Sequence, residues 1–198
     1  IVDLICRQIT LQCSQINPII VRAFLNQCNL SRIKGLSFAV YENLVLFDSA
    51  KISEGKTPLS TLPSSYEDGG RVDELIIFLK DRNYSLTLEL HYAAFEDRDV
   101  ITRSSKLVNT SDERIRLSRL MSTQLDFEDA GYMLTTFNGS WAREMYRFDT
   151  DVVAGKCVNS TYAGTSSSRA NPFIMLSRPT TTEDTGICYG LNLVYSGN

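Results

Sequence analysis

Residues 86–92 read Leu-Thr-Leu-Glu-Leu-His-Tyr. Leu86, Leu88, Leu90 and Tyr92 share one side of an extended chain, and Thr87, Glu89 and His91 share the other. Side chains alternate across a strand, so strict alternation of apolar and polar residues marks a half-buried β-strand. The same period runs upstream from Glu74 through Leu75, Ile77 and Leu79, and downstream over Val100–Val108. A further run, Arg114–Leu125, sets Ile115 and Leu117 against Arg114 and Arg116, with Asn109-Thr-Ser-Asp-Glu113 as the turn before it. Tyr132–Phe137, Pro172–Ser177 and Ile187–Tyr195 complete the series; the last places Ile187, Tyr189, Leu191, Leu193 and Tyr195 on one face. Many short strands joined by turns, with no convincing helix among them, predict an all-β, antiparallel β-sandwich or barrel.

Upstream the signals mix. Ile16, Ile19, Ile20, Ala23 and Phe24 fit a helical stripe, and Ile1, Leu4, Ile5 and Ile9 fit another, with Pro18 where a helix starts or breaks. Leu36, Phe38, Val40 and Leu44–Phe47 read as strands. Residues 48–73 read as a long loop punctuated by Gly55, Pro58, Pro63, Gly69 and Gly70, and residues 159–171 as a polar loop. Residues 1–47 are an uncertain N-terminal segment taken with the same domain; 48–198 form the β domain. The chain starts at Ile1 rather than Met and ends at Asn198 straight after an apolar run, so a fragment is expected.

Composition excludes several classes. With 198 residues and 43% hydrophobic content a core is affordable in one domain. Twenty Lys and Arg against 23 Asp and Glu give a net charge of −3 without a basic stripe, which argues against nucleic acid and against a polybasic membrane patch. No apolar stretch reaches the roughly 18–20 residues of a spanning helix. Cys6, Cys13, Cys28, Cys157 and Cys188 are odd in number and form no CxxC pair, so they read as reduced, mostly buried thiols of a cytoplasmic protein. Asn29, Asn83, Asn109, Asn138 and Asn159 open glycosylation-type triplets, which arise readily in Ser/Thr-rich chains.

The chemistry-bearing constellations are sparse. His91 is the one histidine, on the polar side of its strand, and no G-x-S-x-G elbow surrounds any serine. No cluster has metal-ligand spacing and no glycine-rich phosphate loop occurs, so neither a metal nor a cofactor is expected. Glu96-Asp-Arg-Asp99 could supply paired acids, but Arg98 and Arg103 make an ion-pair network the cheaper reading. Asp126, Glu128 and Asp129 read as a solvated turn. Trp141, the one tryptophan, stands beside Arg143 and Glu144. It could stack on a sugar face, or it could anchor against a neighbouring domain.

Four motifs in series resemble glycoside hydrolase family 36, the α-galactosidases. Phe95-Glu-Asp-Arg-Asp-Val-Ile-Thr-Arg-Ser104 is similar to that family's FEDxDVITRS segment, and Gly139-Ser-Trp-Ala-Arg-Glu144 to its GAWARE stretch. Asn171-Pro-Phe-Ile-Met-Leu-Ser-Arg-Pro179, then Thr182–Gly186, Tyr189-Gly190 and Leu193–Asn198, resemble its NPFxxLxRP…TEDxGxxYGxxLVYSGN series. The resemblance covers residues 59–198 and implies the N-terminal β-supersandwich that precedes a catalytic (β/α)8 barrel. It also implies an α-galactoside substrate of raffinose or melibiose type for the whole enzyme, retention of configuration, and two catalytic aspartates on the barrel. None of the catalytic residues lies in this chain, so the fragment alone is expected to be inert. The barrel of the same chain and further copies in a homo-oligomer are the implied partners. Trp141, Arg143 and Glu144 become candidates for an interdomain or intradomain anchor. Leu62–Asp73 departs from the family's LPQEYPxYGxGDFR pattern: Ser64-Ser65 replace its Gln-Glu pair. Any contact of that loop with a neighbouring active site is therefore not carried over. The rival readings are a free-standing carbohydrate-binding module, a transferase or an enzyme for another α-linked sugar within the family, and a purely structural β domain.

Overall fold

The computed structural model describes residues 37–40, 43–60, 62–81, 83–117, 127, 130–164 and 169–194. Among them there is no helix, and nine strands form two antiparallel sheets. The helical stripes expected in residues 1–24, the acids Asp126, Glu128 and Asp129, and the last residues of the C-terminal motif lie outside the described residues. The two sheets fall in separate compact units.

The first sheet is a meander in the order β1 (Ser37–Val40), β2 (Asn43–Glu54), β3 (Val72–Asp81), β4 (Leu86–Phe95) and β5 (Val100–Asn109). Its register stacks the alternating residues: Leu75 opposes Tyr92, Ile77 opposes Leu90 and Leu79 opposes Leu88. On the next strand Leu88 opposes Leu107 and Tyr92 opposes Arg103. The core concentrates on β3, where Val72, Leu75, Ile76, Ile77 and Leu79 are all buried. Burial on both faces is why Leu75–Leu79 is a continuous apolar run within its alternation. Val72, Ala93 and Phe95 form a buried cluster on the face opposite Leu75 and Tyr92.

Three expectations are corrected in this unit. The loop placed at 48–73 is strand as far as Glu54, because β2 pairs with β3 from Val45↔Asp81 to Glu54↔Asp73, with a bulge between Phe47 and Ser49. At its other end β3 already begins at Val72. The run from Arg114 is not a strand over 114–117, where every residue is exposed. The turn before it is real. The Asn109 Oδ1 accepts from the Ser111 N–H at 3.0 Å and its Nδ2 donates to the Glu113 carbonyl at 2.9 Å. This side-chain turn ends β5, and the alternation of Ile115 and Leu117 beyond it finds no partner strand.

The second sheet has the order β7 (Arg143–Asp151), β6 (Met133–Ser140), β8 (Ala170–Ser177) and β9 (Cys188–Asn192). The hairpin β6–β7 forms first in the chain, and β8 returns to the other side of β6. Tyr189, Thr135, Ser177 and Ala170 are buried. Phe127, Tyr132 and Tyr189 cluster with ring centroids 4.7 and 5.2 Å from Phe127. The Arg178 guanidinium lies 4.0 Å from the Tyr132 ring centroid and also bonds the Ala130 carbonyl. Phe173 stacks on Phe137 at 6.0 Å and covers Gly190, where a Cβ would stand 2.9 Å from the ring. That close approach is what the Tyr-Gly pair of the C-terminal motif supplies. The strand expected over Ile187–Tyr195 spans Cys188–Asn192, with Tyr189 and Leu191 on the covered face and Leu193 half exposed.

Candidate functional site

Two constellations carry polar chemistry. The first is a ladder on one face of the five-stranded sheet. Glu74 sits on the central strand with 2% of its surface exposed. Its Oε2 accepts from the Thr57 N–H at 3.0 Å and also from the Thr57 hydroxyl. Its Oε1 faces His91 Nδ1 at 3.3 Å, and His91 Nε2 faces Glu89 Oε2 at 3.3 Å. Lys106 Nζ closes the row on Glu89 at 3.3 Å. His91 is thus a linked, largely covered group rather than a solvated one. The alternation places it on the polar side, and β3 and β5 bring carboxylate and ammonium to that side. The arrangement does not assemble a nucleophilic triad. The nitrogen that a serine hydroxyl would need is engaged by Glu89. No group of three or more His, Cys, Asp or Glu side chains could hold a metal ion among the described residues.

The acid-dense turn Glu96–Asp99 does hold ion pairs, but the partners differ from those expected of Arg98 and Arg103. Arg98 binds Asp68, and Arg71 Nε lies 3.3 Å from Glu96. Arg103 lies over the Tyr92 ring, 5.9 Å from its centroid. Burial pushes the Tyr92 phenol above its ordinary value, and the nearby Arg103 charge opposes that shift in part.

The second constellation is the tip of the β6–β7 hairpin, which carries Trp141, Arg143 and Glu144. The connection is tight. Ser140 pairs with Arg143, and a Cβ on Gly139 would stand 2.1 Å from the Arg143 carbonyl oxygen, so only glycine fits there. Ala142 takes φ 58°, and its N–H donates to Glu144 Oε1 at 2.9 Å. The Glu144 carboxylate therefore holds the turn while Trp141 stands out at 89% exposure. Met145 also takes a positive φ, 61°, beside the register shift between Asn138 and Ser140. Every residue of β7 is exposed. On its one side Arg147 Nε donates to Asp149 Oδ1 at 2.9 Å, and the Thr135 hydroxyl donates to the same oxygen at 2.6 Å. The Arg147 bond, then the Thr135 bond, hold the Asp149 carboxyl below its ordinary value. Sequence reasoning placed Trp141, Arg143 and Glu144 together but did not find the strand that follows them.

Cys157 and Cys188 are free thiols and both are exposed, so the expectation of mostly buried thiols is not met at these two positions; the other three cysteines lie outside the described residues. Cys188 opens β9, the edge strand of its sheet. No helix of the described residues is long and apolar enough to cross a membrane.

A model of the glycosyl hydrolase family 36 N-terminal domain matches residues 35–198. The chain belongs to that family. The family 36 match begins upstream of residue 59, where the motif resemblance started, and takes in β1 and β2. Alpha-galactosidase 1 of Pediococcus pentosaceus is 36% identical over 155 residues, which is 78% of this chain and 21% of that protein. The bifunctional alpha-galactosidase/sucrose kinase AgaSK of Mediterraneibacter gnavus is 35% identical over 170 residues, 86% of this chain and 18% of that protein. The crystal structure of the α-galactosidase from Lactobacillus brevis superposes with a TM-score of 0.74 at 37% identity, covering 83% of this chain and 22% of that one. This family 36 domain therefore spans about a fifth of the length of the relatives it matches, and it has their all-β N-terminal fold.

Proposed function

We propose that this family 36 domain is the non-catalytic N-terminal part of an α-galactosidase that removes terminal α-galactosyl groups, with retention, from oligosaccharides of raffinose or melibiose type. The family match over residues 35–198, at about a fifth of the relatives' length, carries the reading. Retaining hydrolysis needs two carboxyl groups about 5–5.5 Å apart on either side of the bond. Here Glu74, Glu96, Asp68 and Asp149 are tied to Thr57 and His91, to Arg71, to Arg98 and to Arg147 respectively. Bond cleavage then belongs to a (β/α)8 barrel further along the same polypeptide. The domain supports that barrel and the assembly of a homo-oligomer, and the enzyme works in cytoplasmic carbohydrate metabolism. The free thiols Cys157 and Cys188 accord with a reducing compartment. Trp141, Arg143 and Glu144 act as the anchor; the rigid turn and the uncovered indole support that role.

The test compares the 198-residue chain with the product of the whole coding sequence on an aryl α-galactoside, reading the anomer of the first-formed galactose by NMR. Turnover is expected from the longer chain alone, with the α-anomer formed first. Hydrolysis by the 198-residue chain would overturn the proposal. Heat on titrating that chain with galactosides would instead favour a free-standing sugar-binding module.

A further inference from the structure

We infer that the outer edge of β7 is a pairing surface for β7 of a second copy of this chain, in one register centred on Phe148. The Val152 N–H donates to the Tyr132 carbonyl at 2.9 Å, and the ladder continues through Thr150↔Leu134, Phe148↔Thr136 and Tyr146↔Asn138. In an antiparallel pair, main-chain groups turn toward the partner at every second residue. Tyr146, Phe148 and Thr150 therefore turn theirs to β6. Arg147, Asp149 and Asp151 turn their N–H and C=O groups outward along an edge that no other described strand covers. Such an edge is a template for another strand.

Charge selects the occupant. β7 reads Arg143-Glu-Met-Tyr-Arg-Phe-Asp-Thr-Asp151, and Arg147 and Asp149 flank Phe148, so an antiparallel copy can set these two opposite charges against each other. A two-fold axis at 147 would set Arg147 against Arg147, and one at 149 would set Asp149 against Asp149; like charges directly opposite destabilise a pair. An axis at Phe148 sets Arg147 opposite Asp149 of the second copy, twice. Both residues then occupy positions whose main-chain groups face outward, so hydrogen bonding and charge agree on the same register. On the opposite face, Phe148 meets Phe148 of the second copy at the closer, non-hydrogen-bonded spacing. Phe148 and Tyr146 are 52% and 56% exposed, apolar surface that this pairing covers. The inference rests on the proposed assembly of copies and not on the galactosidase reading.

The experiment is sedimentation velocity on the protein and on two charge-reversed variants, Arg147→Asp and Asp149→Arg, alone and mixed. The wild type is expected to associate reversibly at about tens of micromolar, as a short strand pairing does. The amides of Arg147 and Asp149 should then exchange more slowly at high protein concentration. Each variant alone sets like charges opposite and should associate about tenfold more weakly or worse. The equimolar mixture pairs two arginines with two aspartates and should regain the wild-type association. A wild type that stays monomeric throughout removes the β7 inference, whereas the proposed assembly fails only if the product of the whole coding sequence also sediments as a monomer. Association that ignores both substitutions removes the β7 register alone. Variants that weaken association without rescue on mixing also overturn it, since the effect would then lie in the Arg147–Asp149 pair within one chain.

Discussion

Glu74 owes its place to register. It sits on the most buried strand, pointing to the face where Thr57 and His91 meet it, and it is nearly free of solvent. Replacing one member of a buried charged set leaves the others without their partner, so Glu74→Ala should cost about 3 kcal/mol, read as a lowered urea midpoint. Glu74→Gln, which keeps an acceptor for Thr57, should cost less. Ala142 argues in the other direction. An L-residue pays roughly 1–2 kcal/mol for the left-handed region, and glycine does not. Ala142→Gly should therefore stabilise the chain by about 1 kcal/mol, read as a raised urea midpoint, provided the turn keeps its bond to Glu144. Neither residue was legible as special. His91 stood on the polar side of its strand by simple alternation, but alternation does not say whether that side is wet. The answer depends on Glu74 and Lys106, which lie on other strands. For Ala142, the cause is the tight closure at Gly139 and Arg143, a property of backbone distance rather than of residue type.

At the level of elements, strands with buried side chains announced themselves and the fully exposed one did not. β3 and β4 carry the alternation through Leu75, Ile77 and Leu79, which oppose Tyr92, Leu90 and Leu88. β7 has both faces exposed, so burial imposed no pattern on Arg143–Asp151 and the segment read as an anchor motif followed by nothing. The later half of β2, Asp48–Glu54, failed for a related reason: Ile52 is its one large apolar residue, and serines and charges fill the rest. The opposite error at 114–117 shows that alternation without a partner strand does not make one. The β6–β7 hairpin also has a pH signature. The Asp149 carboxyl lies below its ordinary value in the folded protein, so the stability it contributes is present above its unfolded value near pH 4. It is lost as pH falls through the lower folded value. Amide exchange of β7 should accelerate relative to β3 on acidification through that window, and Asp149→Asn should remove the difference. Since Asp149 is largely exposed, salt should blunt the effect.

For the whole molecule, the fold class and the family were both readable, the first from period-two patterning and the second from motifs spaced along the chain. The division into two sheets in separate units was not, because the composition of the stretch 48–73 marks a loop without saying that residues 58–65 group with the second unit and 66–126 with the first. The lone tryptophan offers a test of how the domain is used. At 89% exposure Trp141 should fluoresce like a hydrated indole and be quenched readily by acrylamide in this chain. In the complete enzyme, the difference spectrum against Trp141→Phe should be blue-shifted and protected, and an unchanged emission would dispose of the anchor role. The order of strands carries one more consequence. In the first sheet every strand pairs with its neighbour in sequence, so each new hairpin can zip onto the last with little loop to close. In the second, β6 must wait with one flank open until β8 arrives from beyond the long polar segment after β7. A nascent chain halted before residue 170 would thus hold a finished meander and a second sheet still lacking β8, its β6 flank open to adding a strand from another chain.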